Sequence, residues 1–238
     1  MIGCLTACPM PQGGLYLRFF AWIYDRALKR AEAGGLRELR RTVLSKAVGR
    51  TLEIGAGTGL NLPHYPDAVT ELTLTEPSAP MASMLRRKLA GHATIAVLVE
   101  TAAEAMPFQA DSFDTIVTTL VLCTVADPIG VLRELARVLR PGGGLIFLEH
   151  VRANDPPLAG WQDRLAKVWS WLADGCQCNR DTLATINCSP LVLESVEHVR
   201  LPMLGILVSP GIYGVARKPS ALSPAKPHAA PRPTRVRE

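Results

Sequence analysis

A glycine-rich segment carries the clearest chemical signal in the sequence. It runs from Leu52 to Gly59 and places Glu53, Gly55, Gly57 and Gly59 at alternate positions directly after an apolar run. Glycine is needed where the chain turns through positive φ, or where a ligand approaches the backbone too closely for a Cβ atom. Free N–H groups in such a turn can meet a carboxylate or a phosphate. The segment therefore predicts a cofactor-binding turn between a strand and a helix.

Two cofactor classes use turns of this kind, and nearby residues distinguish them. The dinucleotide fingerprint G-x-G-x-x-G starting at Gly55 would need glycine at position 60, where the sequence has Leu60. Glu76 lies 19 residues after Gly57, at the end of the next apolar run, where its two oxygens can bind a ribose diol. The alternative for Glu76 is an exposed loop acid. The E-x-G-x-G-x-G form and this acid together predict S-adenosylmethionine rather than NAD as the cofactor.

The glycine turn belongs to a repeating strand and helix pattern. Short apolar runs typical of buried parallel strands alternate with segments whose apolar residues recur at helical spacing. The pattern predicts an α/β fold with one parallel sheet covered by helices on both faces. The predicted strands cover residues 50–54, 72–75, 94–99, 114–122 and 145–149, with helices over 36–48 and 128–139 and terminal strands over 191–198 and 211–217.

Two segments outside this pattern are predicted to form a lid. The first, residues 15–48, begins with an amphipathic helix up to position 33, which suits either packing on the domain or peripheral contact with a membrane. Gly34 and Gly35 predict a break after that helix. The second, residues 151–190, contains three of the four tryptophans, which favour an apolar or aromatic substrate.

The folded part of the chain is predicted to be one domain, residues 15–218, since 238 residues suit a single hydrophobic core. Residues 1–14 predict a disordered start, and the proline-rich residues 219–238 predict a disordered basic tail. From Arg217 onward the chain holds six of its 26 basic and one of its 21 acidic residues, which leaves 20 of each before that point. A near-neutral domain is not expected to bind nucleic acid.

Composition also bears on compartment and metal content. No run of 18 apolar residues exists, so no integral membrane segment is expected. The six cysteines are not expected to form a disulfide framework in a chain of this length, and no pair has the C-x-x-C spacing of structural zinc sites. The sequence therefore predicts a cytoplasmic protein without a bound metal, and it leaves the oligomeric state open.

Nine stretches of the sequence are shared with a known enzyme family: LEIGAGTGLNLPHYP (52–66), LTEP (74–77), AAEAMPF (102–108), SFD (112–114), TLVLCTV (119–125), RVLRPGG (137–143), LEHV (148–151), DGCQCNRDT (174–182) and IYGVARK (212–218). From about Tyr24 to Lys218 the chain resembles small bacterial class I S-adenosylmethionine-dependent methyltransferases and the animal thiol S-methyltransferases of the methyltransferase-like-7 group. The resemblance implies a Rossmann-like, doubly wound sheet of seven strands with the last strand antiparallel. It also implies S-adenosylmethionine as the cofactor.

The resemblance further implies roles for individual positions. Two departures from it concern the ligands: Ala102 stands where many relatives carry an acid, and the segment 209–211 reads Ser-Pro-Gly where relatives tend to carry Arg-Pro-His. The implied cofactor-binding set comprises Glu53 and Gly59 in the motif itself, Gly55 and Gly57 at the methionine part, Glu76 at the ribose, Pro77 and Ser78 at the adenine edge, Ala103 and Glu104 beside the adenine, and Leu120 near the sulfonium.

His150 is the first catalytic candidate because it ends the fifth predicted strand, on the edge where doubly wound sheets bind ligands. It is predicted to accept a proton or to orient the substrate, and the alternative is a structural histidine held by hydrogen bonds. Asp174 is predicted to hold that imidazole or to bind substrate, with a helix-end cap as the alternative. Cys123 is interpreted as a packing residue, and Cys176 as a more exposed thiol without an assigned role.

The sequence thus predicts an enzyme that methylates a small molecule, with a thiol favoured over a hydroxyl acceptor because of the family resemblance. One alternative keeps the fold without catalysis: a cofactor-binding or regulatory protein whose altered 209–211 segment has emptied the acceptor site. A second alternative, a nicotinamide oxidoreductase, is weakened by Leu60.

Overall fold

A computed structural model describes Arg26, residues 28–91 and residues 96–220. The predicted disordered start lies outside these residues. So do most of the first predicted helix, with its predicted membrane contact, and nearly all of the predicted tail.

The described residues form one mixed sheet of seven strands: β1 (Gly49–Ile54), β2 (Val69–Thr75), β3 (Ala96–Val99), β4 (Phe113–Thr119), β5 (Leu139–His150), β6 (Val192–Arg200) and β7 (Pro210–Arg217). Their order across the sheet is β3-β2-β1-β4-β5-β7-β6. Strands β1 to β5 pair in parallel, whereas β7 runs antiparallel to β5 and to β6. This topology confirms the Rossmann-like, doubly wound fold with an antiparallel last strand.

Five α-helices lie among the described residues: α1 (Arg37–Leu44), α2 (Ala79–Leu89), α3 (Pro128–Val138), α4 (Pro156–Leu172) and α5 (Thr182–Asn187). Single 3-10 turns cover Leu62–His64 and Ile206–Val208. Helices α3, α4 and α5 each follow an aspartate whose carboxylate accepts a hydrogen bond from the first turn, which satisfies a backbone N–H group that the helix leaves free. None of the helices in the described parts is long and apolar enough to cross a bilayer.

The ends of the elements show where local sequence signals agree with the structure and where they differ. The predicted break at Gly34 and Gly35 is confirmed, because Gly35 takes a non-helical φ of 122° and a kink there separates two helices, the second of which continues into α1. Strand β5 begins six residues earlier than the predicted position 145. Leu139 pairs with Phe113 and Gly144 pairs with Thr115, so a register shift accommodates the glycine-rich residues between these two pairs.

Alternate side chains of β5 show that both faces of the sheet are buried. Leu145 and Phe147 pack into a cluster with α3, whereas Ile146 and Leu148 pack into a second cluster with α1. All four are at most 2% exposed. Successive side chains of a strand point to opposite faces, so a continuous apolar run is what a sheet covered on both faces requires.

Gly214 on β7 provides a test of this packing. A Cβ atom there would overlap the carbonyl oxygen of Ser195 on β6 and would lie 2.8 Å from the Phe147 ring. We expect Gly214→Ala to lower the free energy of unfolding by at least about 3 kcal/mol, because backbone and core must both shift. Gly160→Ala in α4 is the matched control, since nothing lies within 4 Å of its Cβ position.

The control variant should raise the free energy of unfolding by about 0.5–1 kcal/mol, since alanine favours a helix interior more than glycine does. Urea denaturation of both variants measures the two changes. Equal effects from Gly214→Ala and Gly160→Ala would contradict the close packing of β6, β7 and β5.

Candidate functional site

A cavity of about 550 Å³ opens at the carboxyl ends of the parallel strands. One half is formed by residues that follow β1, β2 and β3, and the other half by residues that follow β4, β5 and α4. The strand order reverses between β1 and β4, and doubly wound sheets bind their ligands at such a reversal. Leu28 and Leu172 also line the cavity, so both segments of the predicted lid border it.

The glycine turn after β1 forms one wall of the cavity. Gly55, Gly57 and Gly59 have φ values of 59°, 57° and 83°, in the region that favours glycine. At Gly57 a Cβ atom would have only Met81 Sδ within 4.0 Å, so this backbone faces open space. Gly59 does not line the cavity: a Cβ there would lie 2.6 Å from Leu85 Cδ1 in the packed interior. Gly55 and Gly57 are thus placed to contact a ligand, whereas Gly59 is placed to shape the turn.

Glu76 joins the glycine turn to the residues that follow β2. The N–H group of Gly57 donates to Oε2 of Glu76 and the N–H group of Ser78 donates to Oε1, each at 2.8 Å. Desolvation raises the pKa of this buried carboxyl, and the two backbone hydrogen bonds oppose that shift. Each oxygen keeps a second lone pair, so the carboxylate can accept further hydrogen bonds from a ligand diol.

Glu53 belongs to a buried polar network behind the cavity and does not line it. Its carboxylate accepts hydrogen bonds from Asn61 Nδ2 at 2.8 Å and from the Tyr65 hydroxyl at 2.7 Å. Asn61 in turn accepts from Arg40, whose guanidinium also pairs with Glu32. Desolvation raises the pKa of Glu53 to about 7. The network ties α1 and the helical turn before it to the chain after the glycine motif.

The remaining predicted cofactor residues line the cavity together. Pro77 and Ser78 follow β2, Ala103 and Glu104 follow β3, and Leu120 follows β4. Leu120 has a φ of 59°, which is rare for a residue with a Cβ atom, and its N–H group donates to Leu148 O at 2.8 Å. Strain of this kind is concentrated at ligand sites, where the surrounding structure holds it in place.

The other half of the cavity contains a cluster of sulfur and imidazole groups. His150 Nε2 lies 3.0 Å from Cys176 Sγ, and the indole N–H of Trp169 donates to the same sulfur at 3.3 Å. Cys123 completes the cluster. The Sγ atoms of Cys123 and Cys176 and a ring nitrogen of His150 all lie within 4.8 Å of one another. The neighbouring Cys123 thiol and burial raise the pKa of Cys176. All four described cysteines are free thiols.

Asp174 does not hold the imidazole of His150, because that ring contacts Cys176 instead. Asp174 lies after the end of α4 with a φ of 49°, and its carboxyl group lines the cavity. Burial raises its pKa, and its charge contributes to the raised pKa of Glu76. Of the two roles predicted for Asp174, ligand binding is the one that its position allows.

Backbone contacts that sequence reasoning missed hold the two thiol-bearing turns together. The N–H group of Gln177 donates to Cys123 O at 2.9 Å. Arg180 Nη1 donates to Leu122 O at 2.6 Å and to Val125 O at 2.8 Å. Arg180, in the DGCQCNRDT stretch, is the sequence signal from which these contacts could have been predicted. A half-buried guanidinium needs carbonyl or carboxylate partners.

The altered segment 209–211 lies beside His150 but does not line the cavity. Gly211 is the cross-strand partner of His150 between β7 and β5. Leu201 packs where a side chain at position 211 would start, with Leu201 Cγ 2.7 Å from the Cβ position. In this chain an apolar side chain therefore occupies the space in which a side chain at position 211 would begin.

The charge of the cavity limits the ligands that it suits. Among the described lining residues there are three carboxylates, those of Glu76, Glu104 and Asp174, and no lysine or arginine. A dinucleotide would bring a pyrophosphate into this wall without a basic partner, whereas the sulfonium and amine of S-adenosylmethionine are cationic. The carboxylate at the ribose position and the open backbone at Gly57 also fit that cofactor.

Known proteins match this chain in sequence and in fold. Residues 52–147 match the family described as methyltransferase domain. Human thiol S-methyltransferase TMT1A is 37% identical over 171 residues, which cover 70% of each chain. Human thiol S-methyltransferase TMT1B is 32% identical over 222 residues, which cover 90% of this chain and 91% of the relative. Geranyl diphosphate C-methyltransferase from Streptomyces coelicolor, solved with S-adenosyl-L-homocysteine, has the same fold with a TM-score of 0.58, 14% identity and 76% coverage of each chain.

The fold is that of a class I methyltransferase, and the cofactor is S-adenosylmethionine. Within that class, the chain belongs to the S-adenosylmethionine-dependent methyltransferase family that includes TMT1A and TMT1B.

The buried network at Glu53 predicts a pH dependence of stability. Burial raises the pKa of Glu53 from 4.5 to about 7, so the folded state keeps a proton that the unfolded chain releases. The stability from this group is fully present below pH 4.5 and is lost as the pH rises through about 7. The loss is on the order of 3 kcal/mol for a fully buried group.

The free energy of unfolding should fall between pH 5 and pH 8, and we expect Glu53→Gln to remove the contribution of Glu53 to that fall. Glutamine can still pair with Asn61 and Tyr65, and it does not ionise. Glu149, whose pKa burial also raises to about 7, is present in both proteins and cancels in the comparison. Urea denaturation across this pH range measures the difference. Parallel curves for the two proteins would contradict the assignment.

Proposed function

We propose that this methyltransferase acts on the sulfur of a small apolar thiol. The observation that carries the proposal is the second half of the cavity, where Cys123, His150 and Cys176 cluster beside the apolar side chains of Trp169 and Leu172. An apolar wall stabilises an apolar acceptor by removing its surface from water. The names of TMT1A and TMT1B, both thiol S-methyltransferases, support the same acceptor atom.

The acidity of the acceptor also favours sulfur over oxygen. A thiol ionises with a pKa near about 8.5, so a substantial fraction becomes thiolate with modest help, whereas an alcohol needs a strong base. The absence of lysine and arginine from the described lining disfavours phosphorylated or carboxylated acceptors.

In this proposal the first half of the cavity holds the cofactor. Bound S-adenosylmethionine supplies a methyl group that its sulfonium already activates, so the protein mainly has to align the acceptor. Glu76 would accept hydrogen bonds from the ribose hydroxyls, and the backbone at Gly55 and Gly57 would lie against the methionine part. Pro77, Ser78, Ala103 and Glu104 would border the adenine, and Leu120 would lie near the sulfonium.

The second half of the cavity would bind and orient the acceptor. His150 and Cys176 would contact the acceptor sulfur at the end of β5, and Trp169 and Leu172 would cover its apolar part. Asp174 would bind ligand from the turn after α4. Together these groups would exclude water from the reacting sulfur. Water would otherwise solvate the thiolate and make it less reactive.

A matched set of acceptors tests the proposal. Benzyl thiol, benzyl alcohol and benzylamine differ only in the acceptor atom, so they separate acceptor chemistry from shape. We expect S-adenosyl-L-homocysteine and methylated product from benzyl thiol, with kcat/KM more than about 100-fold above that for the alcohol, because only the thiol ionises readily near neutral pH. Mass spectrometry of the products measures the transfer.

Two results would separate this proposal from its alternatives, and one variant serves as a control. Faster turnover of the alcohol or the amine would overturn the thiol acceptor while keeping the enzyme class. Tight binding of S-adenosyl-L-homocysteine without turnover of any acceptor would favour the non-catalytic alternative. Retained turnover in a Cys188→Ser variant serves as the control, since this exposed cysteine lies outside the cavity.

The proposed ribose contact makes a second prediction. Glu76→Ala removes a buried carboxylate that holds two backbone N–H groups, so we expect the Kd for S-adenosyl-L-homocysteine to rise roughly 10- to 100-fold. Glu71→Ala is the control on β2, the strand that ends just before Glu76, because Glu71 is exposed and pairs with Arg50 on the surface. Isothermal titration calorimetry should show less than about a twofold change for the control, and equal losses in both variants would contradict the contact.

A further inference from the structure

Three side chains from separate parts of the chain converge at the acceptor end of the cavity. Cys123 lies in the turn after β4, His150 is the last residue of β5, and Cys176 lies in the turn after α4. Their two Sγ atoms and the ring nitrogen lie within 4.8 Å of one another. Cys123 and His150 are at most 3% exposed, and all three side chains line the cavity.

We propose that Cys123, His150 and Cys176 bind one Zn²⁺ ion, with a fourth coordination position open to the cavity. Two thiolates and one imidazole form a known donor set of catalytic zinc, which keeps one position for water or substrate. Structural zinc sites have four protein ligands, and here the cavity occupies the fourth side. The site is therefore assigned to catalysis rather than to fold stability.

The backbone holds the two thiols in place without help from the sulfur atoms. The hydrogen bond from Gln177 to Cys123 O joins the two turns directly, and Arg180 fixes the first turn through the carbonyl groups of Leu122 and Val125. These contacts give the cluster a supporting frame of the kind that orients metal ligands. His150 is fixed independently, because β5 is paired on both sides.

The surroundings of the cluster also suit a zinc ion. The indole N–H of Trp169 donates to Cys176 Sγ, and such a donor stabilises a metal-bound thiolate. Two thiolates and a neutral imidazole balance the charge of Zn²⁺, which allows the site to be buried.

The open position links the ion to the proposed acceptor, and this step alone rests on the proposed function. Binding of Zn²⁺ releases one proton from each cysteine, and an acceptor thiol that enters the fourth position releases its proton to solvent and binds as a thiolate. Its sulfur then forms a bond to the methyl carbon, the sulfonium carbon–sulfur bond breaks, and the electron pair stays on the sulfur of S-adenosyl-L-homocysteine. The neutral thioether is a weaker ligand and leaves.

Cobalt substitution tests the metal site on the full chain, independently of methyl transfer. Reduced, metal-free protein is titrated with Co²⁺, and one equivalent should produce a thiolate-to-cobalt charge-transfer band that Zn²⁺ abolishes. Cys123→Ser and Cys176→Ser should each lower the band by about half and weaken binding more than about tenfold, since each removes one thiolate ligand. Cys178→Ser, Cys188→Ser and the double variant Cys4→Ser/Cys8→Ser are the controls and should leave it unchanged.

Binding of S-adenosyl-L-homocysteine checks that each variant folds, and we expect it to be retained in all of them. Cys178 is a close control because it is fully buried and its thiol donates to Gln162 O outside the cluster. Failure of the reduced, folded protein to bind Co²⁺ would overturn the metal site. A charge-transfer band that depends on a control cysteine would overturn it as well.

A second experiment separates the metal site from the thiol acceptor. Benzyl thiol added to the Co²⁺ protein should raise the charge-transfer band by about half through a third thiolate, whereas benzyl alcohol should not change it. Removal of Zn²⁺ should lower thiol methylation more than about tenfold, with recovery on readdition. Undiminished methylation by metal-free protein overturns the role of the ion and keeps the proposed function. Metal binding without thiol methylation keeps the site and overturns the proposed acceptor.

Discussion

The N–H groups of Gly57 and Ser78 donate to the two oxygens of Glu76, and these hydrogen bonds join the turn after β1 to the turn after β2. They form because adjacent parallel strands end side by side at one edge of the sheet. Burial alone would favour the neutral acid, whereas the two backbone dipoles favour the carboxylate. The cofactor half of the cavity depends on this balance, since an ionised Glu76 can meet both ribose hydroxyls and supports a cationic ligand.

Strand packing determines where everything else in the site lies. Both faces of β5 are buried, so its last residue, His150, can reach a ligand only at the carboxyl end. The turns after β4 and α4 meet there because Gln177 and Arg180 bond to carbonyl groups of the first turn. One half of the cavity is therefore acidic and suits the cofactor, and the other half contains thiols and imidazole among apolar side chains.

The fold and the cofactor half were readable from the sequence because their signals are local. Strand and helix periods, the alternate glycines and the acid 19 residues after Gly57 lie within short windows, and each residue type has a direct physical reason. The cluster of Cys123, His150 and Cys176 was not readable in this way. Its members are 27 and 26 residues apart, and the spacing of cysteines along the chain carries no information about ligands that only the tertiary fold brings together. The Glu53 network was missed for the same reason, since Arg40 and Asn61 are separated by 21 residues.

The segment 209–211 affects the surroundings of a site that it does not line. Gly211 on β7 pairs with His150 on β5, so a side chain at position 211 would start beside His150. Leu201 fills the space that such a side chain would need. The wall beside His150 is therefore apolar at this point. Within the described part of the chain, the imidazole has its polar contact with the sulfur of Cys176. The packing at position 211 thus leaves the His150 ring beside the sulfur of Cys176, which agrees with the proposed thiol acceptor.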